Sequence, residues 1–118
     1  MRQLAQVVSE AHGDEVVVAR IEGEVDMSNA QAIGRRLRDL LTNGSTALVV
    51  DLGPTTHLDS SGIALLFALF DELRRHQQEL HLVVPDGSQL VRVLQITGLD
   101  RAVPTHATLE AALARPQL

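Results

Sequence analysis

The sequence predicts an α/β domain built on a mixed, largely parallel β-sheet. Short aliphatic runs alternate with amphipathic helical stretches along most of the chain, which is the order expected of parallel strands joined by crossover helices. The run Thr46–Leu52 is apolar without alternation, which is typical of a strand covered on both faces. Turn residues near position 13 separate two strand-like runs and add one antiparallel pair. We therefore expect residues 1–118 to form one domain, with about four helices packed on the sheet.

The first half of the chain predicts three strands and one helix. Two β-branched or aliphatic runs form a hairpin, and apolar residues at helical spacing then follow a serine that is able to cap a helix. In chain order, these predictions are a strand over Leu4–Val8, a turn at His12-Gly13-Asp14, a strand over Val16–Ile21, a helix from Ser28 to about Leu41, its end at Asn43-Gly44, and the strand Thr46–Leu52.

The second half continues the alternation of helices and strands. Pro and Gly mark the breaks between its elements, and a threonine precedes the last helical stretch. In chain order, the predictions are a loop containing Pro54, a helix from near Ser60 to about His76, a strand over Leu80–Val84, a turn at Pro85-Asp86-Gly87, a helix over Ser88–Ile96 that Gly98 ends, a short strand near Ala102–Val103, and a helix over Thr108–Ala114.

The composition excludes several kinds of site. The chain has no cysteine, which removes thiol nucleophiles, disulfides and thiolate metal sites. It also has no lysine, so that a lysine phosphate loop, a Schiff base and a lysine-using phospho-aspartate receiver do not fit. The net charge is −5, and the ten arginines are scattered among fifteen carboxylates, which disfavours direct binding of nucleic acid. We expect no cofactor and no metal.

Membrane and export signals are also missing from the sequence. No apolar run reaches the roughly 18 residues that a membrane-spanning helix needs. The first residues, Met1-Arg2-Gln3-Leu4, do not have the apolar core of a signal peptide. These observations predict a cytoplasmic protein that does not insert into a membrane.

Two loops follow strands at the same edge of the predicted sheet. Ligands and regulatory groups collect at the carboxyl ends of parallel strands, which here are the segments Gly23–Asp26 and Leu52–Gly62. Asp59 and Ser60 are both good capping residues, and the simplest interpretation is a capped helix start. The helix that follows is apolar nearly all the way round its first turns, so that either neighbouring elements cover it or part of it is a surface for a partner.

Three other kinds of chemistry are disfavoured. His57, Asp59 and Ser60 are residue types of a catalytic triad, but they lie within four consecutive positions and lack a nucleophile-elbow pattern. A Mg²⁺ site would require Asp26, Asp51 and Asp59 to lie close together. We disfavour it because the chain has no lysine to complete a receiver-like site. His76 and His81 do not have the spacing of metal ligands, and we expect both at the surface.

The stretch from Val49 to Leu69 resembles the signature of the STAS domain family, the bacterial anti-sigma-factor antagonists. That signature is a hydrophobic strand ending in Asp-Leu, a short loop, then Asp59-Ser60-Ser61-Gly62 and an apolar helix. The resemblance extends over the whole chain, through Gly23-Glu24-Val25-Asp26, Thr97-Gly98-Leu99 and the last helix from His106 to Leu113. It departs from the family pattern at Gly53-Pro54, at His57 and at Ile63-Ala64.

The resemblance implies a regulatory protein and not an enzyme. Ser60 is the position of the phosphoacceptor, and Ser61 is its structural neighbour. Members of the family bind an anti-sigma factor that is also a serine kinase, release the sigma factor, and are reset by a serine phosphatase. The surface that the resemblance assigns to the partner comprises Asp26, Asp59, Ser60, Ser61, Gly62 and Ile63. The alternative is an accessory subunit of a transport ATPase or of a stress-sensing scaffold complex, and a homodimer through apolar helix faces is also open.

The position of Ser60 suits a switch by charge. Backbone amides at a helix N-terminus are able to hold a phosphate without unfolding the helix, while the docking surface gains about −1.5 to −2 charges. Asp26 and Asp59 would add to the repulsion of a partner. Asp26 is equally well interpreted as a charge or cap at the start of its own helix.

Overall fold

Strands and helices alternate through the described part of the chain, which in this computed structural model comprises residues 4–12, 15–42 and 44–114. The alternation arises because each apolar strand is followed by an amphipathic segment that covers it. In chain order, the elements are β1 (Gln6–His12), β2 (Val16–Val25), α1 (Ala30–Asp39), β3 (Ala47–Asp51), β4 (Thr55–Leu58), α2 (Ser60–Arg75), β5 (Glu79–Val83), α3 (Leu90–Thr97), α4 (Leu99–Ala102), β6 (Thr105–His106) and α5 (Leu109–Leu113).

The sheet is mixed and largely parallel, as predicted. Its strand order is β1-β2-β3-β5-β6, and β4 pairs with β2 beside this path. The hairpin β1-β2 is antiparallel, whereas β2-β3, β2-β4, β3-β5 and β5-β6 are parallel. The predicted hairpin turn and helix end include Gly13, Asp14 and Asn43, which lie outside the described residues.

Strand β2 has two different neighbours along one edge. Its first half, Val16 to Arg20, pairs with β3, and its end, Gly23 to Val25, pairs with β4. The register shifts between Gly23 and Glu24, and Gly23 has a φ of 113°, a conformation that a side chain disfavours. The shift turns the end of β2 away from β3 and places it beside β4, the strand that leads into α2.

Apolar side chains cover both faces of the central strand β3. On one face, Leu48 and Val50 belong to the main core, which α1, α2, α3 and α4 share with the sheet. On the other face, Val49 packs with Val18, Val83 and Ala112, the last of which lies on α5. This two-sided burial explains why the Thr46–Leu52 segment has no polar alternation.

Helix α2 is covered mainly by its neighbours. Its buried positions are Gly62, Ile63, Leu66, Leu69 and Leu73. Phe67 and Phe70 are half-buried against the main core, while Ala64 and Ala68 face solvent. Neighbouring elements therefore cover most of the apolar surface of α2, and only a small part of it is available to a partner.

Several predictions about the strands were wrong. β1 extends to His12, which was expected in the turn, and β2 extends to Val25, although Gly23–Asp26 was expected to be a loop. The segment 55–58 was expected to be part of a loop but forms β4, where the buried Thr55 donates its hydroxyl to the Ile21 carbonyl oxygen at 2.7 Å. The strand expected at Ala102–Val103 is instead the end of α4, and β6 begins at Thr105. Gly98, at φ 80°, ends α3 as predicted, but the chain then enters another helical turn instead of a strand.

Helix boundaries were mostly predicted to within two residues. Helix α2 begins at Ser60 as expected, and Thr108 caps α5 by accepting the Ala111 amide at 3.0 Å. Ser28, however, does not cap α1, because Asn29 stands directly before that helix and the Ser28 hydroxyl donates to Asp26. Among the described residues, no helix combines the length and the apolar character that crossing a bilayer requires.

Candidate functional site

The start of α2 lies where the ends of β2 and β4 meet. Val25 pairs with Leu58, and the next residue, Asp59, donates its backbone N–H to the Val25 carbonyl oxygen at 3.2 Å. The two segments that the sequence singled out, 23–26 and 52–62, are thereby brought together at one edge of the sheet. Ser60 is the first residue of α2 and is exposed at this junction.

Asp59, and not Ser60, caps the helix. The Asp59 backbone is extended, and its Oδ1 accepts hydrogen bonds from the backbone amides of Ser61 at 2.9 Å and Gly62 at 3.2 Å. These are two of the amides that a helix leaves unpaired at its N-terminus. Because Asp59 performs the capping, the Ser60 side chain is left with no part in holding the helix start.

Asp26 organises the turn that enters α1. Its Oδ1 accepts hydrogen bonds from the backbone N–H of Ser28 at 2.8 Å and from the Ser28 hydroxyl at 2.5 Å. Its own N–H donates to Asn29 Oδ1 at 2.9 Å, and Asn29 Nδ2 donates to the Glu24 carbonyl oxygen at 2.9 Å. The contacts agree with a local role for Asp26 near the helix start, and they hold its carboxylate at a fixed place beside the α2 junction.

Asp26 and Asp59 line one shallow depression of about 490 Å³. Its other lining residues are Glu24, Met27, Ser28 and His57. Three carboxylates therefore surround a surface from which Met27 projects with 83 % of its area exposed. Sequence reasoning missed Met27, although an apolar residue within the polar segment 26–29 was a usable signal.

The predicted partner residues differ in accessibility. Ser60 is exposed and Ser61 is half-buried, whereas Gly62 and Ile63 are buried, Ile63 to all but 7 %. A Cβ built on Gly62 would lie 2.4 Å from Leu58 Cδ1 and 3.0 Å from Val25 Cγ1. Gly62 thus allows the first turn of α2 to approach the ends of β2 and β4 closely.

Asp51 lies apart from the depression that Asp26 and Asp59 share. It accepts the Gly53 amide at 2.8 Å, and its other carboxylate oxygen is 3.7 Å from Arg20 Nε. Within residues 4–12, 15–42 and 44–114, no group of three or more acidic or histidine side chains is arranged to hold a metal ion. The hypothetical magnesium cluster therefore has no geometric support.

One histidine prediction was wrong and one was confirmed. His76 is exposed, but His81 is buried to all but 5 %. His81 Nδ1 lies 3.0 Å from His106 Nε2, and His81 Nε2 lies 2.8 Å from Glu79 Oε1. The burial is tolerated because both ring nitrogens have partners, one of which is 25 residues further along the chain.

The fold and the site define a class of protein: a small α/β domain in which an exposed serine begins a helix at the ends of two parallel strands. The family model described as "STAS domain" matches residues 7–112. The chain belongs to the STAS domain family.

Relatives and solved structures agree with this assignment. The chain is 32 % identical over 106 residues to the anti-sigma-F factor antagonist RsfB of Mycobacterium tuberculosis, covering 90 % of this chain and 85 % of that protein. A crystal structure of an anti-sigma factor antagonist from Mycobacterium paratuberculosis superposes with a TM-score of 0.81 at 29 % identity, covering 92 % and 91 % of the two chains. The anti-sigma factor antagonist SpoIIAA in its unphosphorylated form gives 0.74 at 25 % identity, with 92 % and 93 % covered. The phosphorylated form of SpoIIAA, a Bacillus protein, shares the fold with a TM-score of 0.65 at 24 % identity, with 92 % and 96 % covered.

Removal of the Asp59 cap is expected to destabilise the protein without unfolding it. Asp59→Ala leaves the amides of Ser61 and Gly62 without their acceptor, which costs about 1 kcal/mol for a helix cap. Urea unfolding followed by circular dichroism measures this loss. Asp71→Ala is the matched control, because Asp71 is exposed within α2 and its ion pair with Arg74 spans 3.9 Å at the surface. Equal unfolding free energies for the two variants would contradict the capping role.

Proposed function

We propose that this protein is an anti-sigma-factor antagonist that binds an anti-sigma factor while Ser60 is unmodified and loses that partner when Ser60 is phosphorylated. The proposal rests on one observation at the start of α2. The Asp59 side chain caps the helix, so that the exposed Ser60 hydroxyl is accessible for modification. The roles of RsfB and SpoIIAA as anti-sigma factor antagonists, and the existence of SpoIIAA in a phosphorylated form, support it.

The hydrogen bonds of Asp59 determine which groups a phosphate on Ser60 would meet. The amides of Ser61 and Gly62 are already occupied by Asp59, so that a phosphate on Ser60 meets a carboxylate where the sequence alone suggested free amides. The group adds about −1.5 to −2 charges beside the depression lined by Asp26 and Glu24. The fold keeps its cap, and the change falls on the surface that a partner contacts.

The accessible part of the docking surface is an acidic rim around one apolar projection. We assign direct contact to Asp26, Asp59, Ser60 and Ser61, and add Met27 as the apolar anchor. Gly62 and Ile63 support this surface from below, because both are buried. Such a surface fits a partner patch that offers an apolar recess for Met27 and hydrogen-bond donors for the rim, with no cation placed to receive a charge on Ser60.

The rest of the switch lies in other proteins. The anti-sigma factor is itself the serine kinase and brings ATP and the catalytic groups, and a serine phosphatase restores the hydroxyl. The present chain is then a substrate and a binding partner, acts in the cytoplasm as a single domain, and performs no catalysis of its own. The absence of lysine from the sequence accords with this role, because a substrate needs no lysine to hold phosphates.

Phosphorylation is tested with the purified protein, ATP and the candidate anti-sigma kinases of the source organism. We expect intact mass spectrometry to show one added phosphate and fragmentation to place it on Ser60. Ser61→Ala should retain the added mass and Ser60→Ala should lose it, which makes the neighbouring serine the matched control. A phosphate on Ser61 or Ser28, or none with any cognate kinase, would refute the assignment.

A further inference from the structure

Met27 lies in the turn between β2 and α1, and its side chain takes no part in the core. The residue is 83 % exposed and belongs to neither of the apolar clusters that the described residues form. The turn itself is closed by hydrogen bonds, because the Asp26 carbonyl oxygen accepts the backbone N–H of Asn29 at 3.2 Å and of Ala30 at 2.9 Å. The Asp26 carboxylate also accepts the N–H of Ser28 at 2.8 Å. A well-bonded backbone therefore presents the thioether of Met27 to solvent.

The composition makes Met27 the most readily oxidised side chain of the described residues. The sequence has no cysteine, tryptophan or tyrosine, and its only sulfur atoms belong to Met27 and to Met1, which lies outside the described residues. Hydroperoxides convert an accessible thioether into a polar, chiral sulfoxide. Hydrogen peroxide is neutral, so that the three carboxylates lining the depression around Met27 do not repel it.

We propose that Met27 is a reversible oxidation site that controls binding of the anti-sigma factor independently of Ser60. The inference rests on the proposed function, in which Met27 is the apolar anchor of the docking surface. In the reaction, the sulfur lone pair attacks one oxygen of hydrogen peroxide, the O–O bond breaks and an S–O bond forms. The departing hydroxide takes the proton of the transferred oxygen and becomes water, so that sulfur loses two electrons and the peroxide is reduced.

The sulfoxide replaces an apolar anchor by a strong hydrogen-bond acceptor. A recess that fits the thioether would have to bury the S–O group without a donor, which opposes binding. Because a few central anchors supply most of the binding energy of an interface, we expect oxidation of Met27 to weaken binding at least about tenfold. The core does not use this side chain, so that the urea midpoint of the oxidised protein should equal that of the untreated protein.

The test treats the purified protein with hydrogen peroxide, removes the peroxide with catalase and then adds the anti-sigma factor. We expect peptide mass spectrometry to find one added oxygen on Met27, and isothermal titration calorimetry to show the loss of affinity. A methionine sulfoxide reductase with dithiothreitol should restore the affinity, as the dithiol becomes a disulfide and the oxygen leaves as water. The proposal is overturned if Met27 stays unoxidised under conditions that convert free methionine, or if the oxidised protein binds as tightly as the untreated one.

Two variants assign the effect to this position. Met27→Leu removes the thioether but retains Met1 and all five histidines, so that peroxide should leave its affinity unchanged. The same variant carrying Ile96→Met is the matched control, because Ile96 is 72 % exposed on α3 and does not line the depression. This double variant should take up oxygen at position 96 without a change in affinity. A peroxide-dependent loss of affinity in either variant would contradict the role of Met27.

The outcomes also separate this inference from the proposed function. Untreated protein that binds none of the anti-sigma factors of the source organism would refute the proposed function and, with it, the oxidation site. Untreated protein that binds, and whose Met27 sulfoxide binds equally well, would refute the oxidation site alone. Ser60→Ala should respond to peroxide like the unmodified protein, because the oxidised group is not the phosphorylated one.

Discussion

Ser60→Asp is expected to bind the anti-sigma factor at least about 100-fold more weakly than Ser60→Ala, since like charges brought together at an interface cost several kcal/mol. The aspartate places a charge next to Asp59 and the acidic depression that Asp26 lines. Ser60→Ala keeps the surface neutral and should bind as tightly as the unmodified protein whether or not ATP is present. Isothermal titration calorimetry with the purified partner measures all three affinities.

The comparison of the two variants isolates the effect of charge, because neither substitution changes the helix cap. Asp59 retains its bonds to Ser61 and Gly62 in both variants, so that their unfolding free energies should agree within about 0.5 kcal/mol. Equal affinities of Ser60→Asp and Ser60→Ala would rule out the charge mechanism.

Gly62→Val is expected to lower the free energy of unfolding by about 3 kcal/mol, the upper part of the range for overpacked sites. The first added carbon already overlaps Leu58 Cδ1 at 2.4 Å, and valine brings two more. Leu58 and Val25 are both buried, so that relief requires α2 to move away from the ends of β2 and β4. Urea denaturation monitored by circular dichroism gives the loss directly.

Gly87→Val provides the matched control for the loss of a glycine. A Cβ at Gly87 meets nothing within 4 Å, and the residue is exposed in the turn after β5. A substitution of this kind normally changes stability by no more than about 0.5 kcal/mol. If Gly62→Val were as stable as Gly87→Val, the close approach of α2 to the two strands would not be a constraint on the fold.

The sequence was most informative where local pattern and burial coincide. The unbroken apolar run Thr46–Leu52 predicted a strand buried on both faces. The capping aspartate before an apolar helix predicted that α2 begins at Ser60. Which of Asp59 and Ser60 caps the helix remained open, because both types serve equally well and only the backbone angles separate them.

The features that escaped prediction depend on contacts that are distant in sequence. Strand β4 is short and largely polar, and it is held by the bond from Thr55 to Ile21, 34 residues earlier. His81 is buried because His106 meets it across the edge of the sheet. Tertiary pairing, and not propensity, decided each of these.

The central position of β3 also determines the order in which the protein is able to assemble. Val49 pairs with Val18 on one side and with His81 on the other, and both partners are more than thirty residues away in the chain. Each pairing closes a long loop before it gains any contact, so that the sheet forms slowly and as one cooperative unit. A fragment that ends before β5 leaves one edge of β3 unpaired and about a third of the buried apolar core absent. Truncation before β5 is therefore expected to unfold the surface around Ser60 along with the rest of the domain, although all the residues of that surface precede the cut.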